Sequence, residues 1–204
     1  MNTADAREAW NARYAASEFV WTDRPNQFVE AELTELGPGT AIDLGSGEGR
    51  NAVWLARRGW QVTAVDFSAA GLAKAGRLAT EHGVNVVLVE HDALTFDPAA
   101  PVDLVLVSYL QIQRADQAMM LRRASGWLAP GGKLFVIAHD RSNIDNGYGG
   151  PPSPEVCYTP EETVAALGDL HVDRAEVVER VVDTDTGPQT ALDTLVIAHR
   201  PGSR

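Results

Sequence analysis

The chain is poor in the groups that staple or anchor a protein. Its 204 residues include one cysteine, Cys157, so an intrachain disulfide and a cysteine-rich metal site are both excluded, and a reducing compartment is the expectation. No apolar run approaches the ~20 residues that span a bilayer. The opening "MNTADAREAW" carries Asp5, Arg7 and Glu8 where a secretory leader needs an apolar stretch. A cytoplasmic protein with no membrane partner is therefore expected. Basic runs are missing too: Lys and Arg never extend beyond the doublets Arg57-Arg58 and Arg122-Arg123, and 17 of them against 28 Asp and Glu leave a net charge of −11. Such a surface does not track phosphates, so nucleic acid is not the expected partner, and the acidity reads as solubility.

What is present is globular. Hydrophobic residues make up 45% and charged residues 22%, enough in a chain of this length for one continuous core, so a single domain over 1–204 is expected. Residues 4–18 and 25–36 have helical spacing, the second opened by Pro25 and stopped by "GPG", and form an N-terminal helical extension over 1–38. After it, short β-branched runs alternate with longer amphipathic ones. Strands are expected at 40–44, 60–66, 84–92, 102–109 and 133–139, with helices at 49–58, 68–82 and 114–128 between them. Strands apolar almost throughout and separated by helices predict an α/β doubly wound, Rossmann-like sheet. The tail differs. Residues 171–182 and 190–200 alternate polar and apolar positions around "DTDTGPQ" and predict an antiparallel hairpin.

The chemistry concentrates in "AIDLGSGEGRNAVWLARRGWQVTAVDFS", residues 41–68. A strand ending at Leu44, a turn with Gly45, Gly47 and Gly49, and a helix from Arg50 place bare backbone N–H groups at the carboxyl edge of the first strand, where open parallel sheets bind ligands. A dinucleotide fingerprint needs its third glycine at position 50, where Arg50 stands, and no P-loop follows. A tight strand-to-helix connection is the alternative account of the glycines. Three acids sharpen the pattern. Asp43 precedes the first glycine, Asp66 ends the second strand and Asp92 follows the third. Carboxylates at those places suit a cationic amino group, a ribose diol and an adenine amine, although each alone is ordinary as a cap or turn residue.

At these residues the chain resembles the class I S-adenosylmethionine-dependent methyltransferases with the seven-strand Rossmann-like fold. "AIDLGSGEGR", "VTAVDFS", "EHDAL", "VDLVLVSYL" and "LAPGGKLFV" look like the family's successive motifs over about residues 40–140. "WNARYAASEFVWTDRPNQFV" and "DNGYGGPPSPEVCYTPEE" are similar to its small-molecule branch, which includes tellurite-resistance and thiopurine methyltransferases. The resemblance implies strand order 3-2-1-4-5-7-6 with strand 7 antiparallel. It also implies S-adenosylmethionine as cofactor and S-adenosylhomocysteine as product. Gly45, Ser46 and Gly47 would line the methionine moiety, Asp66 would hold the ribose and Phe67 would lie beside the adenosine, with Asp43, Gly49 and Ser68 also in the cofactor-binding set. Asp92 and Ala93 would face the adenine, and the Ser108 carbonyl would help hold the amino group. Arg50 is either near the cofactor carboxylate or in a structural salt bridge.

A sulfonium brings its own leaving group, so aligning the nucleophile supplies most of the acceleration, and a base is needed only when the nucleophile arrives protonated. Tyr109 and His139 are the catalytic candidates. Each is equally readable as core, His139 tied to a carbonyl and Tyr109 as a packed wall. Tyr14, Trp21, Gln111, Asp140, Arg141 and Tyr148 are candidates for the acceptor pocket, and "NGYGGPPSP" reads as a lid or a plain connection. The fourth strand ends in "SYLQ", without the Asp or Asn and the Pro-Pro-aromatic of DNA amino-methylating enzymes. Arsenite chemistry would need more cysteines. Ser108 stands where a magnesium catechol site wants an acid, so no metal is expected. The motifs leave the acceptor atom open among O, N, S and heavier chalcogens. A non-catalytic module binding the same cofactor is the alternative, and a nicotinamide oxidoreductase is disfavoured by the glycine spacing.

Overall fold

Why the chain alternates as it does becomes plain from where its apolar runs go. The computed structural model describes residues 3–17, 20 and 22–202, which group into a unit Met1–Pro98 and a unit Ala99–Arg204. In the first, α1 (Thr3–Ala15) and α2 (Gln27–Leu33) precede β1 (Thr40–Leu44), α3 (Arg50–Arg57), β2 (Gln61–Asp66), α4 (Ala69–Glu81) and β3 (Val87–Glu90). These three strands pair in parallel, Leu44 opposite Val65 and Asp66 opposite Glu90. Ile42, Leu44, Ala64 and Val65 are buried, as parallel strands covered on both faces require.

The boundaries depart from the expected ones for local reasons. Pro25 lies before α2, not in its first turn: the cap is Asn26, whose Oδ1 accepts the N–H groups of Phe28 and Val29 at 2.9 and 3.3 Å. Strand β3 spans four residues instead of nine. Val84 and Val86 pack on Val53, Leu78 and Ala79, away from the ladder, and Val87 and Leu88 are exposed on this edge strand.

The second unit holds β4 (Val102–Ser108), α5 (Arg114–Gly126), β5 (Leu128–His139), α6 (Asn143–Asn146), a 3₁₀ turn at Pro154–Val156, α7 (Pro160–Ala165), β6 (His171–Val182) and β7 (Gln189–His199). Leu104 to Val107 are wholly buried. Strand β5 begins five residues earlier than the apolar run suggests, because "LAPGG" stays extended through a register shift against β4. Gly131 is at φ 82°, and a Cβ on Gly132 would come within 2.8 Å of the Val102 carbonyl, so this irregular strand needs both glycines. The tail forms the expected hairpin, with β7 antiparallel to both β5 and β6. The seven strands form one sheet in the order β3-β2-β1-β4-β5-β7-β6, as the resemblance implies.

Candidate functional site

The glycine turn after β1 has N–H groups already bonded and acceptors still open. Gly45 and Ser46 donate their N–H groups to the Val65 carbonyl at 2.8 and 3.0 Å, Gly47 donates to Asp66 Oδ2 at 2.8 Å, and Gly49 to the Ser46 carbonyl at 2.9 Å. Of the bare N–H groups expected there, these four are bonded within the unit, which follows from the knitting of the turn onto β2. The glycines are demanded partly by packing. A Cβ on Gly47, at φ 53°, would stand 2.5 Å from the Tyr14 hydroxyl, and one on Gly49 the same distance from Ala75 Cβ.

Acceptors remain. Asp43 is 1% exposed and its Oδ2 has no hydrogen-bond partner, nor has the buried Ser46 Oγ. Burial pushes the Asp43 carboxyl up to about 7, against the opposing N–H of Ala52 and the charge of Arg50. Asp66 is buried at the end of β2, taking one backbone N–H on each oxygen, from Gly47 and from Ser68 at 2.8 Å. An ionised carboxylate has about four acceptor sites, so two are left for other donors. Burial raises its pKa, opposed by those two N–H groups.

Around the turn the described side chains are tied in. Ser68 caps α4, its Oγ accepting from the Gly71 N–H and donating to Asn11 Oδ1 at 2.6 Å. Phe67 is half-buried beside it and Ala93 is buried. Asp92 Oδ1 accepts the Leu94 N–H at 2.9 Å. Arg50 opens α3, close enough to Asp43 to act on its charge. Two residues outside the predicted set matter here. Glu48, inside the turn, forms a buried ion pair with Lys74 of α4 at 2.8 Å and accepts the Val20 N–H, while Lys74 Nζ also donates to the Ser17 carbonyl. Tyr14, expected in the acceptor pocket, is buried over Gly47 with Lys74 Nζ 5.9 Å from its ring centre. Trp21 lies outside the described residues.

The second unit assembles a polar cluster from four separate strands or strand ends. Tyr109, at φ 53° just past β4, donates its hydroxyl to Asp193 Oδ2 at 2.6 Å. Arg180 of β6 donates Nε to the same oxygen at 2.6 Å and to the Tyr109 hydroxyl oxygen at 3.0 Å. His139 ends β5 directly opposite Asp193 of β7, its Nδ1 3.3 Å from Asp193 Oδ1, long for a hydrogen bond. The Tyr109 and His139 rings lie 4.8 Å apart between centres. Asp193 is 0% exposed. Burial pushes its carboxyl up, but the nearby His139 ring, the hydrogen bonds from Arg180 and Tyr109 and the Arg180 charge outweigh it and hold the pKa below the usual value. Burial and the Asp193 charge raise the Tyr109 phenol, so it stays protonated.

The other candidates of this unit are placed as follows. Asp140 is buried, with Oδ1 accepting from the Ser142 N–H and hydroxyl and Oδ2 from Thr194 at 2.7 Å. Arg141 pairs with Glu162 on the surface. Gln111 is half-buried and Tyr148 exposed. Ser108 Oγ is buried without a partner. Sequence reasoning missed Asp193 and Arg180. The one signal was an aspartate in the middle of "TALDTLVIAH", a place where an unpaired charge is costly.

Known proteins resemble this chain in sequence and in fold. Residues 41–132 match the family model described as "Methyltransferase domain". The ribosomal RNA small subunit methyltransferase C of Alcanivorax borkumensis is 33% identical over 108 residues, covering 50% of this chain and 33% of that protein. The ubiquinone biosynthesis O-methyltransferase of Caulobacter vibrioides is 32% identical over 105 residues, covering 50% and 42%. The chain thus spans a third to two fifths of the length of these two relatives. Among solved structures, one from work on the conversion of a disulfide bond into a thioacetal group during echinomycin biosynthesis superposes with TM-score 0.78 at 18% identity, over 97% of this chain and 93% of that one. The N-methyltransferase NodS of Bradyrhizobium japonicum, in complex with S-adenosyl-L-homocysteine, gives 0.73 at 16%, over 96% and 98%.

Proposed function

For a chain whose residues 41–132 match the methyltransferase domain family and whose sheet has the order of the class I S-adenosylmethionine-dependent methyltransferases, we propose methyl transfer from S-adenosylmethionine to a small-molecule acceptor by in-line displacement. The observation that carries the reading is the polarity of the glycine turn. The N–H groups of Gly45, Ser46, Gly47 and Gly49 are bonded internally while Asp43 Oδ2 and two acceptor sites of Asp66 remain. A phosphate needs donors. A ligand with an ammonium group and a ribose diol needs acceptors, and these residues fit it.

When bound, the cofactor supplies an activated methyl group on a positively charged sulfur. Asp43 would take the amino group, the ligand's charge replacing the solvation lost on burial, and Asp66 the ribose hydroxyls. Ser46, Gly45, Gly47 and Gly49 give the turn its close backbone approach, with Phe67, Asp92 and Ala93 in the neighbouring loops. The small-molecule part rests on the net charge of −11 and the absence of a basic run. Both disfavour an RNA acceptor, although one relative by its name acts on ribosomal RNA.

Two measurements test this. Calorimetric titration with S-adenosylhomocysteine should show one binding site per chain, and no heat of binding would reject the cofactor. Incubation with methyl-labelled S-adenosylmethionine and separated metabolite and RNA fractions of a cell extract should label metabolites. Label confined to RNA would reject the small-molecule acceptor, and binding without label in either fraction would leave a non-catalytic module.

A further inference from the structure

We propose that the second unit carries a binding site for a small monocarboxylate with an apolar body, in a cavity where α5 ends and β7 ends, with Arg122 and Arg200 taking the carboxylate. The inference goes beyond the methyl-transfer reading and does not depend on it, because every residue it uses lies within Ala99–Arg204.

The cavity has a volume of about 440 Å³ and is lined from three segments: the last turn of α5, residues 167–170 after α7 and residues 200–201 after β7. Small organic ligands are held in cavities of this size. Gly126 in its wall ends α5 two residues before β5 begins, so the cavity lies at the opposite end of that strand from His139 and is separate from the Tyr109–Asp193 cluster.

Arg200 is held in place before any ligand arrives. Its N–H donates to the Gly132 carbonyl and its own carbonyl accepts from the Gly131 N–H, each at 2.9 Å, which pins the backbone to β5. Its Nη2 donates to the Ser125 and Gly126 carbonyls at 3.2 and 3.3 Å, acceptors that the end of α5 leaves open. Nε and Nη1 donate to no described residue. Arg122, one turn before Gly126 on α5, has no hydrogen-bond or ion-pair partner among the described residues. Acids outnumber bases 28 to 17 in this chain, yet neither guanidinium group of the cavity is paired with a described carboxylate. Past α7, Gly168 turns the backbone at φ 64°, and its N–H and that of Asp169 donate to no described acceptor, which leaves unused donors in the lining segment as well.

The class of ligand follows from the charge count and the walls. Two guanidinium groups against the Asp169 carboxylate leave one positive charge in the lining. One carboxylate matches it, taken by the planar fork of an arginine, whereas the second charge of a phosphate would meet Asp169. Leu167 and Leu170 supply an apolar wall for a small ring or branched chain.

The test titrates the ¹⁵N-labelled full chain with benzoate, benzamide and phenyl phosphate and follows the backbone ¹H–¹⁵N correlations. Benzoate should shift Gly126 and Gly168 saturably, with a Kd below about 10 mM. Benzamide has the shape without the charge and should bind at least about ten-fold more weakly. Phenyl phosphate should bind more weakly than benzoate and gain on Asp169→Asn. Arg122→Gln should weaken benzoate about ten-fold. Gly126→Glu, where a Cβ meets nothing within 4 Å, should abolish the shift at Gly168. Neither of these two variants removes a hydrogen bond between described residues, and their remaining correlations should match the wild type. No saturable shift with benzoate, equal binding of benzamide, or unchanged benzoate affinity in Arg122→Gln overturns the site. Tighter binding of phenyl phosphate than of benzoate overturns the monocarboxylate class.

Discussion

The two polar centres of this chain manage buried carboxylates in opposite ways. At the glycine turn, Asp43 is buried with one oxygen unpartnered and a pKa pushed up to about 7. In the second unit, Asp193 is buried as deeply but receives Tyr109, Arg180 and the His139 edge, and its pKa is held down. Exposure is nearly the same in both, so the donors and the Arg180 charge decide. A carboxylate short of donors is suited to receive a ligand, and a saturated one is suited to hold its neighbours still.

Breaking the saturated centre should have the largest effect. Asp193→Ala leaves Arg180, only 22% exposed, without its counter-charge and removes the acceptor of the Tyr109 hydroxyl. A loss of about 3–5 kcal/mol is expected, the scale for orphaning one member of a buried pair, read as a lowered midpoint in urea denaturation. At the open centre the largest loss should be of ligand binding. Asp66→Ala should weaken S-adenosylhomocysteine by about 1–3 kcal/mol, as for hydrogen bonds to a charged group, and an unchanged calorimetric Kd would contradict the placement of the ribose. Gly47→Ala should cost about 1–2 kcal/mol of stability, the scale for a side chain in the left-handed region. Thermal unfolding should show partial recovery when Tyr14→Phe removes the hydroxyl that a Cβ would strike.

The last effect is gradual, a slope with pH. Asp43 is raised from 3.8 to about 7 in the fold, so between those values the native chain binds more protons than the unfolded one. Stability from this group is therefore full below about pH 4 and falls as pH rises to about 7, by less than about 1.4 kcal/mol per pH unit. A cationic ligand favours the ionised form, so its affinity should rise over the same interval. Asp43→Asn should flatten both curves, and parallel slopes in wild type and variant would remove Asp43 from the amino-group site.

The same contrast explains what the sequence made legible. The turn, Asp43 and Asp66 lie within 24 consecutive residues, and parallel pairing puts strand ends at one edge, so spacing alone locates them. His139, Arg180 and Asp193 are joined by antiparallel register and Tyr109 by the parallel pairing of β4 with β5, and nothing in the alternation of β6 says which of its charged residues turns inward. The β3 boundaries were misread because Val84 and Val86 satisfy the strand pattern while packing on a helical cluster. The bare turn N–H groups were misread because a glycine loop looks alike whether its donors face a ligand or the next strand. Glu48 was invisible as a partner of Lys74 because a charged residue in a glycine turn reads as solvated.

That ion pair gives the N-terminal arm a share in whatever the turn binds. Glu48 and Lys74 hold the Val20 N–H and the Ser17 carbonyl, and Tyr14 covers Gly47. The docked arm therefore braces the turn from outside, and the two equilibria are linked. A ligand that stiffens the turn tightens the arm by the same free energy with which the arm tightens the ligand.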